Sequence, residues 1–125
     1  MNTEDEMCYW VIEDNLDLQF LIQLKFRTDT RLRFCGAAVN STDAIELVSG
    51  MNPGVVILDH FIEGKIMGLQ LAPLIKAEAP NTRIILFTSH DLALESNREP
   101  AIDAYLRKSD LTKLLPTALG LLGLE

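Results

Sequence analysis

The sequence predicts an α/β domain, a doubly wound five-stranded parallel sheet flanked by helices on both faces. Three observations lead there. Five short apolar runs of strand length alternate with segments whose apolar residues recur at helical spacing. Capping and turn-forming residues mark the junctions. Strands alternating with helices need crossover connections, and right-handed crossovers cover a parallel sheet on both sides.

Met7 to Ile12 (MCYWVI) reads as the first strand. Asn15 caps a first helix that reaches about Arg27, with Leu16, Phe20, Leu21 and Leu24 at helical spacing. Phe34 to Val39 is the second strand. Ser41 and Thr42 are capping candidates for a second helix whose apolar face comes from Ala44, Ile45, Leu47 and Val48. Gly50, Asn52, Pro53 and Gly54 stop it. Val55 to Leu58 (VVIL) is the third strand and ends at Asp59. A loop with Gly64 and Gly68 leads to a third helix from about Leu69 to Glu78, closed by Pro80. Arg83 to Phe87 (RIILF) is the fourth strand and ends at Thr88. A weak helical segment, His90 to Asn97, stops before Pro100. Ala104 to Arg107 (AYLR) is the fifth strand and ends at Lys108. Asp110 is a candidate cap for a leucine-rich last helix, within which Pro116 is expected to remove a backbone hydrogen bond and bend the axis.

The 125 residues suit one domain, residues 1–125, with no repeat, no linker and no room for an output domain. A net charge of −7 argues against a nucleic-acid surface, which needs clustered Lys and Arg. The acidic start, Glu4 to Glu6, reads as a solvated terminus and is the reverse of a secretory leader. Aliphatic runs are far too short for a membrane span. Cys8 and Cys35 sit in apolar stretches without metal-site spacing, so they read as buried core thiols in a cytoplasmic protein. Trp10 reads as core packing, and His60 and His90 as solvated or hydrogen-bonded loop side chains rather than metal ligands.

The chemistry collects where the strands end. Glu13 and Asp14, Asp59, Thr88 and Lys108 follow the first, third, fourth and fifth strands, and in an open parallel sheet that rim is where ligands bind. Glu13, Asp14 and Asp59 gathered in one pocket repel one another unless a proton or a cation offsets the charge. A hard divalent cation with oxygen ligands, Mg2+ or Mn2+, suits such a set. Asp59 is then placed as a nucleophile toward phosphorus, with Lys108 as a point charge and the Thr88 hydroxyl as a donor to phosphoryl oxygens.

The stretches VIEDN, VVILD, IILFTS and AYLRK, in that order and spacing, resemble the receiver domains of two-component response regulators, over Met7 to about Leu122. The resemblance implies a flavodoxin-like fold, phosphorylation of Asp59, and metal binding by Glu13, Asp14, Asp59 and the backbone carbonyl of Phe61. It implies a switch made of Thr88 and Tyr105, whose ring turns inward when the threonine moves. It implies phosphoryl transfer from a histidine kinase or histidine phosphotransfer protein, and output through a downstream effector or a homodimer, with no nucleic acid or membrane bound directly. Phe61 and His90, two residues beyond Asp59 and Thr88, flank the path of hydrolytic water in the family, so a bulky Phe61 implies slow self-dephosphorylation. Such a domain catalyses only its own phosphorylation and dephosphorylation and is not otherwise an enzyme.

The sequence departs from the family at several points. Glu63 stands where a proline is usual, the loop before Gly68 is about one residue longer than common, and the stretch from Thr88 to Lys108 is about two shorter. Ser109 replaces a proline that is often preceded by a cis peptide. These features support an alternative, a pseudo-receiver that binds proteins without phosphorylation. A metal-dependent phosphohydrolase is a third reading, against which Phe61 occupies the place of a second acid. Taken singly, the residues also have plainer accounts. Glu13 and Asp14 open a helix, Asp59 and Thr88 serve as caps or turn residues, Lys108 is a solvated lysine, and Tyr105 is ordinary packing.

Overall fold

The computed structural model of the protein describes residues 7–48 and 50–124. Glu4 to Glu6 and the side chains of Leu47 and Val48, on which expectations fell, lie outside the described residues. The strands are β1 (Cys8–Ile12), β2 (Arg33–Ala38), β3 (Val55–Leu58), β4 (Arg83–Thr88) and β5 (Ala104–Arg107). The helices are α1 (Leu16–Phe26), α2 (Ser41–Val48), α3 (Gly68–Glu78), α4 (Ala93–Asn97) and α5 (Leu114–Leu121), the last entered through a 3-10 turn over Lys108–Lys113. All four strand pairs are parallel, in the order β2-β1-β3-β4-β5. The predicted doubly wound sheet is therefore what the chain forms.

Strand periodicity explains the two layers. Successive side chains point to opposite faces. Trp10, Ile12, Val56, Leu58, Ile84 and Leu86 pack on one face with Ala44 of α2 and Leu71, Ala72 and Ile75 of α3. Tyr9, Val11, Val55, Ile57, Ile85 and Phe87 pack on the other with Ile22 and Phe26 of α1 and Leu114 and Ala118 of α5. The chain winds from β1 outward to β2, then returns to β3 on the other side. The connections leaving β1 and β3 part there, and a crevice opens beyond their carboxyl ends.

Several local expectations are corrected. The stripe Leu16, Phe20, Leu21 and Leu24 does not face the core: Leu16 is 66% exposed and Phe20 57%. The buried residues of α1 are Gln19, Ile22 and Phe26. Apolar residues lie on both sides of this helix, so periodicity found the helix but not its inner face. The cap of α2 is Asn40, whose side-chain oxygen accepts from Asp43 N at 2.8 Å, rather than Ser41 or Thr42. The weak segment His90 to Asn97 is helical only over Ala93–Asn97. Asp110 lies at a kink inside the 3-10 turn, not at the start of α5. Pro116 is the third residue of α5, where a backbone N–H has no partner within the helix, so it removes no bond. The Lys108–Ser109 peptide is trans. Asn15 does cap α1, accepting from Leu18 N at 3.1 Å. Among the described residues, no helix is long and apolar enough to cross a membrane.

The cysteines are not free thiols. Cys8 and Cys35 form a disulfide between neighbouring strands, with Cα atoms 5.6 Å apart. The β1–β2 register shifts here: Tyr9 pairs with Phe34 and Trp10 with Gly36, leaving Cys35 as the extra residue of a bulge. A Cβ on Gly36 would run into the Trp10 indole, so the bulge needs a glycine at this position. A cross-link spanning 27 residues removes loop entropy from the unfolded chain. Reduction is expected to lower the unfolding free energy by about 3–4 kcal/mol, read as a lower urea midpoint in the presence of a thiol reductant. An unchanged midpoint would show that the bridge contributes nothing to stability.

Candidate functional site

The strand ladder extends one residue past its ends and carries the acids with it. Glu13 N–H donates to Ala38 O, and Asp59 N–H donates to Ile12 O, each at 3.0 Å. The acidic ends of β1 and β3 are thereby fixed side by side by backbone bonds, before any side-chain contact is considered. Gln19, buried on α1, donates to the Glu13 carbonyl at 2.6 Å and pins the β1–α1 turn. Glu13, Asp14 and Asp59 each offer a carboxylate oxygen, all within 4.8 Å of one another. Glu13 and Asp59 are buried and Asp14 is exposed. Lys108 Nζ reaches between them, 2.7 Å from Glu13 Oε1 and 2.9 Å from Asp59 Oδ2. The other oxygens are also engaged: Glu13 Oε2 accepts from Asn15 N at 3.1 Å, and Asp59 Oδ1 accepts from His60 N at 2.7 Å.

The electrostatics follow from burial. Loss of solvent pushes the Glu13 carboxyl up to about 7, against the pull of Lys108 and with a further push from Asp59. The folded chain thus holds that proton more tightly than the unfolded chain does. Stability from this group is full at low pH and declines as pH rises from about 4.5 to about 7. Burial works against the Lys108 ammonium too, but its bonds to Glu13 and Asp59 more than offset this and hold its pKa above the usual lysine value. One ammonium among three carboxyl groups leaves negative charge uncompensated. The donors are hard oxygens, close enough to share one ion, and they suit a divalent cation.

The remaining expected residues lie on the adjoining rim. Thr88 is fully buried at the end of β4, and its Oγ1 accepts weakly from His90 N at 3.5 Å. The Tyr105 hydroxyl donates to His90 O at 2.8 Å and accepts from Leu92 N at 3.1 Å. Its ring is therefore tied to the loop that follows Thr88. Phe61 is 42% exposed, with its ring centroid 4.3 Å from that of His90. The loops after β3 and β4 thus meet through these two rings.

The family model described as the response regulator receiver domain matches residues 10–118. The chain belongs to that family. Solved structures agree in fold. A LuxR-family DNA-binding response regulator from Staphylococcus aureus is 25% identical, with a TM-score of 0.81 over 93% of this chain and 98% of that one. The response regulator domain of Thermotoga maritima CheB is 16% identical, with a TM-score of 0.82 over 95% and 98%. The receiver domain of the putative response regulator NarL from Mycobacterium tuberculosis is 20% identical, with a TM-score of 0.83 over 94% and 96%. The last two likenesses bear on fold alone. No curated protein sequence matches the chain.

In this receiver domain Glu13, Asp14, Asp59 and Lys108 converge as the sequence anticipates, while Thr88, Tyr105 and Phe61 stand beside them on neighbouring loops. The sequence does not single out Gln19, and it gives His60 only as a solvated or hydrogen-bonded loop side chain. Gln19 supports Glu13 from a buried helix position, and a polar residue in register with Ile22 and Phe26 was the available signal. His60 is only 8% exposed and makes bonds on both sides of its backbone and ring. Burial keeps its pKa below the usual histidine value, although the charge of Asp59 opposes this.

Lys108→Ala would leave Glu13 and Asp59 facing each other without the ammonium. In metal-free buffer this is expected to destabilise the fold by about 2–4 kcal/mol, because a buried partner loses its counter-charge. Urea denaturation with a chelator present measures it, and an unchanged unfolding free energy would mean the pair is not coupled.

Proposed function

We propose that this receiver domain accepts a phosphoryl group on Asp59 from the phosphohistidine of a histidine kinase or histidine phosphotransfer protein, in a magnesium-dependent reaction. The convergence of Glu13, Asp14 and Asp59 within 4.8 Å, with Lys108 bonded to two of them, carries the reading. Bound Mg2+ or Mn2+, held by these three carboxylates and the Phe61 carbonyl, would offset charge on the arriving phosphoryl oxygens.

The chain's own groups supply the rest. His60 N–H and Lys108 hold the two Asp59 oxygens in fixed directions, so the carboxylate meets phosphorus already oriented. The Asp59 oxygen forms the new bond to phosphorus as the phosphorus–nitrogen bond of the donor breaks. The leaving imidazole keeps the electron pair and takes up a proton. Lys108 then pairs with phosphoryl oxygens in place of carboxylate, and the Thr88 hydroxyl turns from its loop to donate to one of them. Movement of Thr88 reaches Tyr105 through the His90 and Leu92 backbone that the phenol holds. Thr88 and Tyr105 thereby form the switch that alters a surface offered to an effector or a second copy. The domain turns over no outside substrate, and with a net charge of −7 leaves nucleic acid to other proteins or domains.

Incubation with magnesium and acetyl phosphate is expected to add the mass of one phosphoryl group, lost in Asp59→Asn. A protein that stays unmodified and binds no beryllofluoride would instead be a pseudo-receiver acting without phosphorylation. Phe61, packed on His90 across the mouth of the site, is expected to slow the entry of water. Phe61→Ala should shorten the half-life of the phosphorylated form several-fold, followed by the decay of the added mass. An unchanged half-life would remove Phe61 from that role.

A further inference from the structure

We propose that His60 is a positioning residue for phosphoryl transfer: capping α3 with its imidazole and carbonyl, it holds the backbone that aims the Asp59 carboxylate. The inference rests on the reading of Asp59 as phosphoacceptor. Its starting point is the loop itself. Eight residues, His60 to Met67, connect Asp59 to α3 without a proline. Nothing intrinsic to that sequence stiffens it, and Gly64, at φ +121°, adds freedom. Yet the carboxylate at the head of this loop must hold one direction for in-line attack.

His60 supplies the constraint from three of its polar atoms. Its N–H donates to Asp59 Oδ1 at 2.7 Å. Its carbonyl accepts from Gly68 N at 2.8 Å and from Ile62 N at 3.2 Å. Its ring Nδ1 accepts from Leu69 N at 3.2 Å. Gly68 and Leu69 are the first two residues of α3, and such amides have no partner inside their own helix. A cap normally comes from the residue that precedes the helix. Here that residue is Met67, which offers no side-chain oxygen, and His60 fills the role from across the loop.

Gly68 reports how tightly the clasp closes. A Cβ there would run into the Asp59 carbonyl oxygen and crowd the His60 Cα, so α3 begins directly against the phosphoacceptor backbone. The ring is then enclosed, with the Phe61 ring 4.7 Å away at a steep angle. An imidazole that accepts at Nδ1 carries its proton at Nε2, which fixes the tautomer the cap requires. His60 therefore links a rigid helix to one oxygen of Asp59 within a single residue.

The test compares wild type, His60→Leu and His60→Asn in labelling by acetyl phosphate at saturating magnesium, with the rate followed as donor concentration is raised. Asn places its Oδ1 near the Nδ1 position and preserves the cap, whereas Leu fills the space without an acceptor. His60→Leu is expected to lower the maximal labelling rate about ten-fold or more while leaving the half-saturating donor concentration unchanged. Its Leu69 amide should also exchange with solvent faster. His60→Asn should recover most of the rate and the Leu69 protection. If His60→Leu does not fold, His60→Gln, whose acceptor cannot sit at the Nδ1 position, replaces it.

A labelled wild type with an equally fast Leu variant overturns the positioning role alone, as does an Asn variant as slow as Leu. A wild type that takes no label overturns the phosphoacceptor reading and this inference together.

Discussion

Backbone ladder bonds hold Glu13 and Asp59 together against their own repulsion, and the rest of the site depends on that constraint. Left to themselves, carboxylates in a shared, poorly solvated pocket would separate or take up protons. They cannot separate here, because each follows directly from a strand whose neighbours are fixed: Glu13 to Ala38 of β2, and Asp59 to Ile12 of β1. The sheet core, with Ile12 and Leu58 wholly buried, makes that placement costly to relax. The electrostatic strain emerges in chemistry instead. Burial, with a smaller push from Asp59, raises the Glu13 pKa, and Lys108, just beyond β5, bonds to both acids, which leaves a pocket suited to a cation. Neighbouring strands could not present these groups so closely if the order were different, because β1 and β3 are adjacent only through the reversal of winding between β2 and β3.

The site was legible in the sequence because each of its parts stands at the end of a strand, and strand ends are marked by the change from apolar to polar residues. VVIL followed by Asp59, or AYLR followed by Lys108, needs no knowledge of partners to be placed on the rim. What escaped the sequence depends on two or more distant segments at once. The Cys8–Cys35 bridge requires β1 to lie beside β2 with a bulge at Cys35, and neither residue signals this alone. Sequence alone does not settle the inner face of α1, because Leu16, Phe20 and Leu24 form as regular a stripe as Ile22 and Phe26. Only the packing against Tyr9 and Val11 decides between them. Sequence does not mark where α5 begins, and the 3-10 turn before it places Pro116 in a first turn that tolerates a proline.

The shortened connection between Thr88 and Lys108 has a physical consequence for how the rim is tied together. With α4 reduced to five residues, the segment from Ser89 to Leu92 has little helix to anchor it. Side chains from the next strand do so instead. Tyr105 spans the loop by bonding His90 O and Leu92 N, and Arg107 donates to Ser89 O at 2.8 Å. Thr88 itself pairs with Arg107 in the ladder, so both ends of this loop answer to β5. The backbone just beyond Thr88 is therefore held by Tyr105 and Arg107.

That coupling also accounts for the aromatic contact across the mouth. Phe61 belongs to the loop after β3, where the His60 ring accepts from Leu69 N of α3, while His90 belongs to the loop after β4, where its carbonyl accepts from the Tyr105 hydroxyl. The rings therefore bridge the side of the pocket tied to α3 and the side tied to β5. The His90 N–H donates weakly to the Thr88 hydroxyl, so the residue that packs on Phe61 is also bonded to Thr88. Under the proposed function, access of water to a phosphoryl group on Asp59 and the position of Thr88 would be linked through this contact. A substitution at His90 that alters one should alter the other, whereas a substitution at Phe61, on the α3 side, should alter access alone.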